Sequence, residues 1–255
     1  MLKVRVIPTL LWKTFGLVKG VAFDSWRRVG PVLPAVKVYN QRGIDELILL
    51  DISASSRLTG LDFESIEDFG RECGVPLTVG GGVCQIEQVQ RLLRIGADKI
   101  CINSAAYTKP ELITEVAKLH GVQCAVVSID TRERDGRWWC FSHAGNIETG
   151  REAISWAQEL EGLGAGELLV TSIERDGTMQ GYDLRLIESI VRAVKIPVIA
   201  SGGAGCYEHM VDAILKSGAS AVAAASMFHF TENTPAGAKA ALAKAGVPVR
   251  HPYHS

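Results

Sequence analysis

The sequence predicts an α/β chain folding as a (β/α)8 barrel, the TIM-barrel class, made of two fused half-barrels. Three observations predict it. Short apolar, β-branched runs alternate with helix-like stretches eight times from end to end. One signature occurs twice: Val-Pro-Leu-Thr-Val-Gly-Gly-Gly at 75–82 is echoed by Ile-Pro-Val-Ile-Ala-Ser-Gly-Gly at 196–203, a spacing of 121 in a chain of 255 residues. Each copy is followed by a second matched segment, Gly96-Ala97-Asp98-Lys99 through Asn103-Ser104 and Gly218-Ala219-Ser220-Ala221 through Ala225-Ser226. A half-length repeat of strand, glycine turn, helix and strand favours a closed barrel over a doubly wound open sheet, the other arrangement that alternating elements allow.

The elements follow in order. Strands are expected at 4–11, 46–51, 75–79, 98–102, 123–129, 167–172, 196–200 and 220–224. These runs are short and apolar with little alternation, as parallel strands buried on both faces require. Helices are expected between them at 32–43, 62–73, 85–95, 109–119, 151–163, 183–193, 206–216 and 234–245. No composition break interrupts the series, so a single domain is expected, with half-barrels at about 1–122 and 123–255. Two connections exceed minimal length. Residues 14–31, with Gly16, Lys19, Gly20 and Gly30, follow the first strand as a loop. Residues 131–146 follow the fifth, with a small hairpin turning at Asp135-Gly136 beside Trp138-Trp139. Long loops at the carboxyl ends of opposed strands are where a barrel enzyme places lids and substrate contacts.

The formal net charge of −1 and apolar content of 47% exclude an electrostatic nucleic-acid or membrane-surface partner and fit an ordinary globular interior. No apolar run reaches membrane-spanning length, and Arg5 cuts the first apolar stretch too early for a signal peptide. Cys73, Cys84, Cys101, Cys124, Cys140 and Cys206 form no CxxC pair and no metal-like spacing. They read as reduced thiols of a cytoplasmic protein, with no metal or cofactor expected. His120, His209, His229, His251 and His254 complete no nucleophile motif.

Chemistry gathers at the expected strand ends. Gly80-Gly81-Gly82 and Gly202-Gly203 bring bare backbone amides close to an anion, or serve only as tight turns. Asn103-Ser104 and Ala225-Ser226 open the next helices, where free N–H groups and a serine hydroxyl complete a phosphate cradle in each half. Gly177-Thr178 offers another backbone contact. Asp51, Asp130 and Asp176 stand at or just after strand ends, as acid–base candidates or as structural acids bonded to rim amides. The half-repeat sets Ile7-Pro8-Thr9-Leu10-Leu11 against Val126-Val127-Ser128-Ile129-Asp130. Symmetry therefore calls for two opposed acids, and the chain supplies Asp130 opposite Leu11. At strand beginnings, Arg5, Glu46, Lys99 and Glu167 alternate in sign, as an ion-pair plug or as a gate for a small neutral or cationic molecule.

Together these segments resemble the cyclase subunit of imidazole glycerol phosphate synthase over essentially the whole chain, from Val4-Arg5-Val6-Ile7-Pro8 to Gly246-Val247-Pro248-Val249-Arg250. The most specific matches are Leu50-Asp51-Ile52-Ser53-Ala54-Ser55, Arg175-Asp176-Gly177-Thr178 and Ile199-Ala200-Ser201-Gly202-Gly203-Ala204-Gly205. The resemblance implies a histidine-biosynthesis reaction. Ammonia from a HisH-like glutaminase, docked at the N-terminal face, passes the ring of Arg5, Glu46, Lys99 and Glu167 and crosses the barrel to a bis-phosphorylated ribulosyl carboxamide. It also implies that Asp130 is one of two catalytic acids and that Lys19 is a substrate residue of the first long loop. Gly81, Gly82, Asn103, Ser104, Asp176, Gly177, Gly202, Gly203, Ala225 and Ser226 are implied to hold the two phosphates.

Leu11 departs from this pattern, because the family carries an acid there. The first strand and Gly16-Leu17-Val18-Lys19 are most similar to second-copy paralogues from bacterial surface-polysaccharide clusters. That likeness implies weak or lost cyclisation, or a conduit that pairs with a glutaminase and feeds ammonia to a sugar amidotransferase. A phosphosugar-binding barrel without a partner is the third possibility.

Overall fold

The computed structural model describes residues 3–13, 16–54 and 60–250. Ser55 of the matched segments and the tail residues His251 and His254 lie outside the described residues. The eight barrel strands are β1 (Arg5–Lys13), β4 (Leu47–Asp51), β5 (Leu77–Gly80), β6 (Lys99–Ile102), β7 (Ala125–Arg134), β10 (Glu167–Ser172), β11 (Val198–Ser201) and β12 (Ala221–Ala224). All neighbours pair in parallel, and the β7–β10 and β12–β1 ladders close the cylinder. An open sheet has two free edges, so this closure excludes the doubly wound alternative.

Side chains alternate between two cores, as a strand's period of two dictates. Ile7, Ile48, Cys101, Val126, Leu169 and Ile199 fill the barrel interior. Val6, Leu10, Leu49, Val127 and Ile129 point outward against the helices. The long helices α1 (Val32–Gln41), α2 (Phe63–Glu72), α3 (Ile86–Arg94), α5 (Glu111–His120), α6 (Ala153–Leu163), α7 (Leu184–Ala193), α8 (Tyr207–Leu215) and α10 (Pro235–Lys244) follow the strands in turn. Several start at side-chain caps that satisfy free amides: Asp62 accepts from Ser65 N, Asp183 from Leu186 N and Thr234 from Gly237 N. Two short helices, α4 (Ser104–Thr108) and α9 (Ser226–Phe230), sit at matched places in the two halves. The last helix is tied back to the first strands. Lys239 Nζ lies 2.7 Å from Asp45 Oδ1 and donates to Gly43 O, while Asp45 Oδ2 accepts from Val6 N.

Three sequence expectations need correction. The segment 14–31, expected as a loop, contains the strands β2 (Gly16–Val21) and β3 (Asp24–Gly30), an antiparallel hairpin running back along β1. The segment after the fifth strand is larger than a small hairpin. β7 runs on to Arg134, turns at Asp135-Gly136 and pairs with β8 (Arg137–Ser142), which pairs with β9 (Ile147–Glu152). The helix expected from 151 therefore begins at Ala153, because Arg151 and Glu152 belong to β9. The half-repeat thus extends to the lids, since each of the two opposed strands carries a two-stranded antiparallel extension.

Candidate active site

The carboxyl ends of the strands and the two extensions enclose a cavity of about 650 Å³. Asp130 lies in its wall, 9% exposed. Ser128 Oγ donates to Asp130 Oδ1 at 3.0 Å, and Asn103 Nδ2 donates to Oδ2 at 3.1 Å. Burial raises the Asp130 pKa from an ordinary 3.8 to about 7; the Ser128 bond opposes the rise and the Asp176 charge adds to it. An acid poised near neutrality can both give and take a proton at working pH. Leu11 lines the same cavity, on the interior face of β1. It has no proton to exchange.

Gly81 and Gly203 show why the turns are glycine. Both have positive φ, +102° and +110°. A Cβ on Gly81 would lie 2.0 Å from Asp51 O, and one on Gly203 would lie 2.2 Å from Gly181 O. Gly81, Gly82, Asn103 and Ser104 border the cavity on one side. Gly202, Gly203, Ala225 and Ser226 border it on the other, with Asp176 and Gly177 between β10 and α7. The two cradles differ in detail. Ser104 Oγ accepts from the backbone of His143 at 3.0 Å. Ser226 Oγ is buried with no hydrogen-bond partner among the described residues, in a residue only 6% exposed.

Lys19 and Asp176, far apart in sequence, form one ion pair of 2.5 Å, with Lys19 only 2% exposed. Ala22 N also donates to Asp176 O at 2.8 Å. These contacts hold the β2–β3 hairpin down over the cavity. Asp51 acts locally, its Oδ1 accepting from Ser53 N at 3.0 Å and from Ser53 Oγ at 2.8 Å. At the opposite end of the barrel the four expected charges form one closed ring. Arg5 donates to Glu46 at 2.9 Å and also to Glu167, and Lys99 reaches Glu46 at 3.0 Å and Glu167 at 3.1 Å.

Sequence reasoning missed part of the wall. Phe23 and Trp26 of the first hairpin line the cavity, as do His143 and Asn146 of the β8–β9 turn. His143 has a positive φ of 52°, and its ring Nδ1 lies 3.0 Å from Ser142 Oγ. The signals available were the length of the 14–31 segment and the Asp135-Gly136 turn, which mark the two extensions without singling out these residues.

Among known proteins, the family model described as "Histidine biosynthesis protein" matches residues 5–234. "Imidazole glycerol phosphate synthase subunit HisF" of Hyphomonas neptunium (strain ATCC 15444) is 49% identical over 250 residues, covering 98% of this chain and 99% of the relative. No helix among the described residues is long and apolar enough to cross a membrane. With both matches running essentially end to end over a closed barrel, the chain belongs to the histidine biosynthesis protein family and, within it, to the HisF subunits of imidazole glycerol phosphate synthase.

Proposed function

We propose that this single-domain barrel of two half-barrels binds a bis-phosphorylated ribulosyl aminoimidazole carboxamide between its cradles but cyclises it weakly. Gly81, Gly82, Asn103 and Ser104 take one phosphate. Gly202, Gly203, Ala225 and Ser226 take the other, with Asp176 and Gly177 beside them and Lys19 closing from the hairpin. A cytoplasmic glutaminase partner docks at the N-terminal face and delivers ammonia through the ring of Arg5, Glu46, Lys99 and Glu167. Asp130 is the remaining acid–base group on the way to imidazole glycerol phosphate and an aminoimidazole carboxamide ribotide.

The observation that carries the reading is the pairing of Asp130 with Leu11 in one cavity. Loss of one positioned acid–base group typically removes roughly 100- to 10,000-fold of rate. The test is turnover of the family substrate with free ammonia. The expected result is feeble turnover by the parent and a gain of at least roughly 100-fold in Leu11→Asp. Parent turnover within about tenfold of an authentic cyclase sinks the proposal.

A second reading is a conduit that passes ammonia from the glutaminase to a sugar amidotransferase in surface-polysaccharide synthesis. It is favoured by the intact charge ring of a chain that lacks one acid. Lys99→Ala then uncouples glutamine hydrolysis from amidation in the complex; unchanged coupling counts against a gate. Failure to capture a glutaminase removes both readings and leaves a phosphosugar-binding barrel.

A further inference from the structure

Above the reacting layer lies a second cavity, of about 380 Å³, between the first hairpin and the β8–β9 turn. Its cationic lining residues are Lys13 and Arg132, both half-buried. Side chains two apart on a strand share a face. Lys13 therefore follows Leu11 along β1, and Arg132 follows Asp130 along β7. The half-repeat that opposes Leu11 and Asp130 also opposes these two cations. Symmetry fails at the acid layer and holds at the cation layer above it.

Neither cation has a carboxylate within ion-pair distance among the described residues. Each lies over a ring instead, Lys13 Nζ at 5.0 Å from Trp26 and Arg132 Cζ at 5.3 Å from Phe141. A cation held on an aromatic face keeps an open side for an anion. The acid of this cavity, Asp24, turns Oδ1 to its own neighbour Ser25 N at 2.6 Å, so the lining charge sums to one positive. No cradle residue lines this cavity. Phe23, Trp26, Ile52, Ala144 and Asn146 line both, so the two spaces adjoin.

We propose that Lys13 and Arg132 form a third anion site at the barrel mouth, which receives a phosphate group of an arriving ligand before the glycine cradles do. The proposal rests on the phosphorylated-ligand reading above and adds a site to it. The hairpin supplies Phe23, Asp24 and Trp26, so the site exists with the lid down. Two opposed cations on a mouth also raise the arrival rate of a dianion, an effect that salt screens.

Trp26 supplies the readout. Its emission is titrated with inorganic phosphate in the full chain, with Trp26→Phe identifying its contribution, and total phosphate binding is followed by calorimetry. The expected result is a saturable Trp26 response whose midpoint rises roughly tenfold in Lys13→Gln and in Arg132→Gln, and further in the pair. In those variants calorimetric binding at the cradles persists. An unchanged midpoint in Lys13→Gln/Arg132→Gln, or no Trp26 response in the parent, overturns the proposal. Loss of the Trp26 response in Ser226→Ala also overturns it, because the signal then belongs to a cradle. Unaltered calorimetry in Ser226→Ala and Ser104→Ala instead counts against the cradle reading and leaves the third site standing.

Discussion

Replacing Asp130 by Asn should stabilise the protein, and the gain should depend on pH with a definite sign. Desolvation lifts the Asp130 pKa from 3.8 to about 7, so the folded state holds this proton more tightly than the unfolded chain does. Between those values the native state binds more protons, and stability falls as pH rises. A pKa unit is about 1.36 kcal/mol, so the full displacement costs about 4 kcal/mol once the acid is ionised. Below pH 4 both states are protonated and the cost vanishes. Asparagine keeps the shape and carries no charge. Its amide can accept from Asn103 Nδ2, and Ser128 Oγ can turn to accept from it, so neither neighbour is orphaned. The assay is urea unfolding of parent and Asp130→Asn from pH 4 to pH 8. The variant should gain roughly 2–4 kcal/mol at pH 8 and almost nothing at pH 4, with the change centred between the two pKa values. A gain that is flat with pH, or one that grows on acidification, refutes a buried acid held near neutrality.

The matched serines should behave differently. Ser104→Ala removes the acceptor of the His143 amide, so it should cost about 1 kcal/mol and speed hydrogen exchange at His143. Ser226→Ala deletes a buried hydroxyl that has no partner among the described residues, so denaturation of the ligand-free protein should show no loss, and phosphate affinity should fall. At the end of the chain, Lys239→Met strands the buried Asp45 carboxylate, and urea unfolding should show a loss of about 3–5 kcal/mol. Lys239→Met/Asp45→Asn keeps an acceptor for Val6 N and should regain much of it.

The barrel strands were legible because each is buried on both faces, which leaves a short, mostly apolar run. The lids were not. β3 is Asp-Ser-Trp-Arg-Arg-Val-Gly with no buried residue, and β9 is Ile-Glu-Thr-Gly-Arg-Glu with none either. A strand without a buried face leaves no alternation to read, so 24–30 reads as loop and Arg151-Glu152 as helix; β2 is buried, but Gly16 and Gly20 leave it only the short apolar pair Leu17-Val18 before Lys19. The glycine turns stood out because positive φ and backbone crowding admit no other residue, and that constraint is local.

By itself, then, the sequence determined the eightfold alternation, the two repeated anion turns and the single correspondence that fails, Asp130 against Leu11. Each depends on neighbours a few residues away or on a comparison of one half with the other. The tertiary structure decided which residues meet. It paired Lys19 with Asp176 across the mouth, closed Arg5, Glu46, Lys99 and Glu167 into one ring, and set Ser104 against the His143 amide while giving Ser226 no partner among the described residues. Those contacts join residues far apart in the chain. They follow from barrel closure and from how two extensions fold over the rim, and neither leaves a period in the sequence.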